Sequence, residues 1–144
     1  MAQVILVTAV GDSIISARLI GNPSAQTEPL WASWGTGAGV ASKGATTLST
    51  ESRSQATSGG NVIRTLGTSS QQTTSTTNDS YQVIATITSD AGKTITNVGL
   101  FDTNGAVASP GPPSGGNLFF MADSLSVLLA NNDAIQFTLK VVNN

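Results

Sequence analysis

The sequence predicts an all-β protein, a β-sandwich or jelly roll of seven to eight strands with at most one short helix near residues 13–20. Three observations carry this. Short apolar segments with two-residue alternation recur along the chain, the clearest being Tyr81–Thr88 and Ala134–Val142. Clusters of Gly, Asn, Asp and Pro punctuate them. Ser and Thr make up about a quarter of the 144 residues, which suits strands whose exposed faces are polar without being charged.

Taken in order, Val4–Val10 is a β-branched apolar run suited to a strand covered on both faces. No basic residue precedes it, Asp12 cuts it short and Arg18 follows, which is the reverse of a secretory signal. Ile14–Ile20 reads as a short helix. Asp12 or Ser13 is its expected cap, Arg18 complements its last turn, and Gly21-Asn22-Pro23 stops it. Residues 21–29 form a polar loop. Leu30–Trp34 alternates, with Leu30, Ala32 and Trp34 on one face of a strand and Trp31 and Ser33 on the other. Gly35-Thr36-Gly37-Ala38-Gly39 ends that strand. Val40–Thr57 is an irregular excursion with Leu48 as its one bulky apolar side chain, unusually long for a mere connector.

Asn61–Leu66 is a short strand, and Ser69–Asp79 is a polar tract that suits either a loop or a solvated edge strand. Tyr81–Thr88, the turn Asp90–Lys93 and Thr94–Phe101 together predict a hairpin, with Gly99 as a bulge or a point of close approach. Asp102–Gly116 is a Pro- and Gly-rich loop. Asn117–Ala122 and Leu125–Leu129 are further strands, and Asn131-Asn132-Asp133 turns the chain into Ala134–Val142. Residues 1–144 read as one β domain. Within it, residues 1–28 hold the N-terminal strand and helix, with an arm as the other role open to them, and 29–144 form the sandwich core.

Composition bounds the chemistry. There is no Cys and no His, which excludes disulfides, thiolate nucleophiles, Cys/His zinc sites and imidazole acid–base catalysis. Six Lys and Arg cannot track a phosphate backbone, so no nucleic-acid partner is expected. No apolar run approaches the ~20 residues that span a bilayer, so no membrane role is expected. Asp12, Asp79, Asp90 and Asp133 sit beside Gly, Asn or Ser, and Asp102 stands two residues before Asn104-Gly105, so turn chemistry explains all five. Gly35, Gly37 and Gly39 suggest a phosphate loop, but Lys43 precedes Gly44 instead of following a glycine and no helix pattern opens there. No catalytic, metal-binding or cofactor-binding residue is therefore assigned. Trp31 and Trp34, on opposite faces, leave one indole for the core and the other for a sugar platform or a subunit contact.

Four segments taken together resemble small structural proteins of tailed bacteriophages, in particular capsid decoration (cement) proteins. They are Pro29-Leu-Trp-Ala-Ser-Trp-Gly-Thr-Gly-Ala-Gly39, Thr47-Leu-Ser-Thr-Glu-Ser-Arg53, Lys93-Thr-Ile-Thr-Asn-Val-Gly-Leu-Phe-Asp102 and Asn132-Asp-Ala-Ile-Gln-Phe-Thr-Leu-Lys-Val-Val142. In the second, Glu51 and Arg53 stand two apart where the family pattern has three. The resemblance implies a non-enzymatic virion protein assembled in the host cytoplasm. It would be a homo-oligomer, a trimer before a dimer, bound to the major capsid protein outside an assembled head. A phage neck, tail or fibre component, including a receptor-binding tip, and a carbohydrate-binding module are the other readings. The partner contact is expected on the loop Gly35–Thr57, which includes the excursion, the loop Asp102–Gly116 and the N-terminal strand Val4–Val10, because loops and a terminal strand are free of core duties.

Overall fold

The computed structural model describes residues 3–22 and 26–142. They form an all-β sandwich with one helix. In chain order the elements are β1 (Ile5–Val7), α1 (Ala9–Leu19), β2 (Trp31–Gly35), β3 (Glu51–Ser52), β4 (Thr57–Ser58), β5 (Asn61–Val62), β6 (Thr65–Leu66), β7 (Thr68–Gln72), β8 (Ser80–Thr88), β9 (Lys93–Ile95), β10 (Asn97–Phe101), β11 (Val107–Ala108), β12 (Leu118–Ala122), β13 (Val127–Leu129) and β14 (Ala134–Val142). Nine of these fourteen strands reach three residues; the other five are two-residue pieces that stitch loops onto the sheets.

The larger sheet runs β1-β12-β10-β2-β3, with β6 also on β2, and the smaller runs β14-β8-β7. Two ribbons, β11-β5-β4 and β13-β9, complete the fold. Between the sheets lies the main core: Ala32, Trp34, Val98, Leu100 and Phe120 from the larger, and Val83, Ala85, Ile87 and Leu139 from the smaller. Edge-to-face pairs cross it, Trp34 on Phe137 at 6.5 Å and Tyr81 on Phe119 at 6.1 Å. A second core covers the outer face of the larger sheet, where Ala41 and Leu48 of the excursion pack on Phe101, Leu118 and Met121. The excursion is thus a lid on that face, and Leu48 is its anchor.

The two indoles divide as alternation requires. Trp34 is fully buried between the sheets, and Trp31 lies half-buried against the second core. Gly99 is a point of close approach: a Cβ there would stand 2.6 Å from the Phe120 carbonyl oxygen and 3.0 Å from Leu48 Cδ2. The bulge falls next to it, between Leu100 and Phe101, where β12 carries one residue more than β10. The extra residue, Phe119, turns into the main core beside Phe120.

Four expectations are corrected. The apolar run Val4–Val10 is a strand only over Ile5–Val7, and that strand is an edge, with Ile5 more than half exposed. Thr8 then caps α1, its hydroxyl accepting from the Gly11 amide at 3.0 Å. Ala9 and Val10 are helical, and Asp12 sits in the first turn instead of capping it. Arg18 does stand in the last turn, and Gly21 follows with φ of +70°.

The hairpin of Tyr81–Thr88 with Thr94–Phe101 does not form. β8 pairs with β14 and β7, whereas the second segment splits into β9, on β13, and β10, between β2 and β12. All five residues of β10 are buried, so the strand belongs inside a sheet covered on both faces, and the turn carries it across the sandwich. Finally, Asn61–Leu66 is two strands broken at Ile63-Arg64, whose amides turn to Ala56 and Asn104. The polar tract resolves into edge strand β7 and a loop wound around Asp79.

Candidate functional site

The three segments expected to carry the partner contact lie side by side, with the excursion in the middle. On one side Asp123, 1% exposed, accepts from the Val4 amide at 2.8 Å and the Ala41 amide at 2.6 Å, tying the N-terminal strand to the excursion. Ala9 donates to the Lys43 carbonyl at 2.7 Å, and Lys43 reaches the Val7 carbonyl and the Asp12 carboxylate. Burial opposes ionisation of Asp123, but the Val4 and Ala41 amides and Ser124 outweigh it and hold its carboxyl below the usual range.

On the other side a buried arginine organises the Pro-rich loop. Arg64, 1% exposed, makes a two-pronged pair with Glu51 at 2.8 and 3.0 Å. Its Nη1 donates to the carbonyls of Thr103 and Gly115, and the guanidinium lies 3.5 Å over the Phe101 ring. Arg53 adds a bond to the Pro110 carbonyl and an ion pair with Asp90, which Lys93 shares. Asp102 closes the base of the loop through the Asn117 amide and side chain, both at 2.7 Å.

All eight carboxylates have partners. Besides those above, Asp79 accepts from the amides of Thr76, Ser75 and Thr74, which hold it well below the carboxylate range. Asp133 takes the Ala130 amide, and Glu28 the Tyr81 hydroxyl. The turn reading therefore fits Asp79 and Asp133, while Asp12 and Asp90 pair with cations and Asp102 reaches Asn117, fifteen residues on. The glycines of Gly35–Gly39 serve close packing: a Cβ on Gly35 would stand 2.3 Å from the Ser49 carbonyl oxygen, and the Thr36 and Gly37 amides are spent on Thr50 and Ser49. Among the described residues no group of three Asp or Glu could hold a metal, and no helix is long and apolar enough to cross a membrane.

Two recesses open along the side of the sandwich where β1 and β14 are the sheet edges. One, of 390 Å³, lies between α1 and the smaller sheet, walled by Ile14, Ile15, Leu19, Tyr81, Phe119 and Val141. Arg18 and Glu28 also line it, and Tyr81 points its hydroxyl at Glu28 and the Pro29 carbonyl. Burial first, then the Glu28 charge, pushes the Tyr81 hydroxyl well above its ordinary value. The other, of 360 Å³, is lined by Ile5, Phe120, Leu125, Phe137 and Leu139 among others.

Sequence reasoning missed Arg64, Asp123 and both recesses. Arg64 carries no local signal, because its carboxylate partner stands thirteen residues away and its carbonyl partners 39 and 51 residues away. Protein-family models, curated proteins and solved structures gave no match to this chain.

Proposed function

We propose that this chain is a non-enzymatic virion structural protein, a decoration subunit that binds the outside of an assembled phage head and stabilises it. The observation that carries the reading is the adjacency of the N-terminal strand, the excursion and the Pro-rich loop, held to one another by Asp123, Arg53 and the Arg64–Glu51 pair. A continuous, pre-ordered surface loses little entropy on docking. The carboxylates support it too, since each is engaged in building the fold. Val40, 63% exposed, offers an apolar anchor on that surface. Binding the assembled shell, and not free capsid subunits, stabilises the shell by linkage. The sugar-platform reading loses ground, because among the described residues no aromatic side chain is one of the exposed large apolar ones.

The test is to mix purified protein with empty expanded heads, pellet them, and melt the shells with and without it. Saturable co-pelleting and a higher shell melting temperature are expected. Gold labelling confined to the neck, tail or fibres of virions would move the protein there, and labelling of no virion part would overturn the reading.

A further inference from the structure

The outer edge of β14 is unused by the surface just described. This is the longest edge strand of the fold, nine residues against five for β7 and three for β1. Its register with β8 runs through nine pairs without a shift. Among the described residues no strand pairs with its other side. Proteins guard such edges with Pro, bulges or clustered charge. Ala134–Val142 has no Pro, no Gly and one charge, Lys140. Its inward side chains also wall both recesses, Val141 the first and Phe137 and Leu139 the second.

We infer that β14 is a self-association strand, which pairs antiparallel with β14 of a second copy across a two-fold axis at Thr138. The inference rests on the homo-oligomer that the resemblance behind the proposed function implies, and specifies its geometry. Full overlap of 134–142 with itself fixes the axis at Thr138. Phe137 then faces Leu139 of the other copy, Ile135 faces Val141, Ala134 faces Val142 and Gln136 faces Lys140. Every inward apolar residue meets an inward apolar residue, and the one charge meets a neutral amide. Any other axis shortens the overlap, and one at Lys140 sets two ammonium groups opposite each other. The pairing adds about eight to ten interchain backbone hydrogen bonds, from alternate residues exchanging two each. It joins the two small sheets into one of six strands. A two-fold contact of this kind closes after two copies, which favours the dimer over the trimer.

The chain has no Cys, so a single introduced one reports on register without background. Residues facing each other across such a pair stand about 4.5–5.5 Å apart at Cα, within disulfide reach. In the pure protein, without shells, sedimentation should show a dimer at micromolar concentration. Under mild oxidation Thr138→Cys should become a covalent dimer. Gln136→Cys and Lys140→Cys should each fail alone, and the double variant should cross-link. Thr138→Lys, at an exposed position, should keep the circular dichroism spectrum and raise the dimer dissociation constant at least tenfold. A wild-type monomer or trimer overturns the inference, as does a dimer that Thr138→Cys does not trap or Thr138→Lys does not weaken. Co-pelleting of wild-type protein with empty heads reports separately on shell binding.

Discussion

Replacing Glu51 by alanine leaves the Arg64 guanidinium buried without its counter-charge. The pair is nearly dry, with side-chain exposures of 1% for Arg64 and 9% for Glu51. Breaking a buried pair by removing one partner costs about 3–5 kcal/mol, because the remaining charge is neither solvated nor matched. The Thr103 and Gly115 carbonyls and the Phe101 ring still hold the guanidinium, which places Glu51→Ala near the lower end. At roughly 2–4 °C per kcal/mol for a chain of this size, the melting temperature falls by roughly 6–12 °C. Arg64→Met should cost at least as much, since it orphans Glu51 and removes the donor from both carbonyls. The double variant Glu51→Leu/Arg64→Met leaves no buried charge and should be more stable than Arg64→Met alone. Urea unfolding followed by tryptophan fluorescence measures all three, because Trp34 moves from full burial to water. A loss below about 1 kcal/mol for Glu51→Ala, or simple additivity in the double variant, would refute the reasoning.

Asp123→Asn should destabilise by about 1–3 kcal/mol at neutral pH, because an amide cannot accept from both the Val4 and Ala41 amides with a charge. The folded pKa of Asp123 is depressed, so its contribution is complete above the unfolded value of about 3.9 and fades as pH falls through the folded one. The gap between wild type and variant in urea titrations should therefore narrow below about pH 4, and a gap that stays constant into strong acid would sink this account. Gly99→Ala drives a methyl onto the Phe120 carbonyl and Leu118, and should cost about 1–3 kcal/mol by thermal unfolding; a neutral result would mean that β12 yields there. Leu48→Ala removes the anchor of the excursion and should cost about 2–5 kcal/mol, with faster amide exchange over residues 40–50 as its local signature.

What the sequence determined by itself was local. Alternation bounded β8 and β14 to within a residue and sent Trp31 and Trp34 to opposite faces, and adjacent turn residues marked Asp79 and Asp133 as turn carboxylates. Each depends on a residue and its close neighbours, through a two-residue period or a side chain that reaches its own backbone. Pairing was another matter. Alternation says which face of a strand is apolar but not which strand completes the ladder, and β10, buried on both faces, was drawn to the centre of the larger sheet and away from the nearer β8. The start of α1 was hidden for the same reason, since Ala9 and Val10 are as apolar as the strand before them and only the Thr8 cap, held against β12, separates the two. Arg64 is the sharpest case: in sequence it is one cation within the expected short strand Asn61–Leu66. Its partners Glu51, Phe101, Thr103 and Gly115 come from three other segments, and only the folded chain brings them to one place.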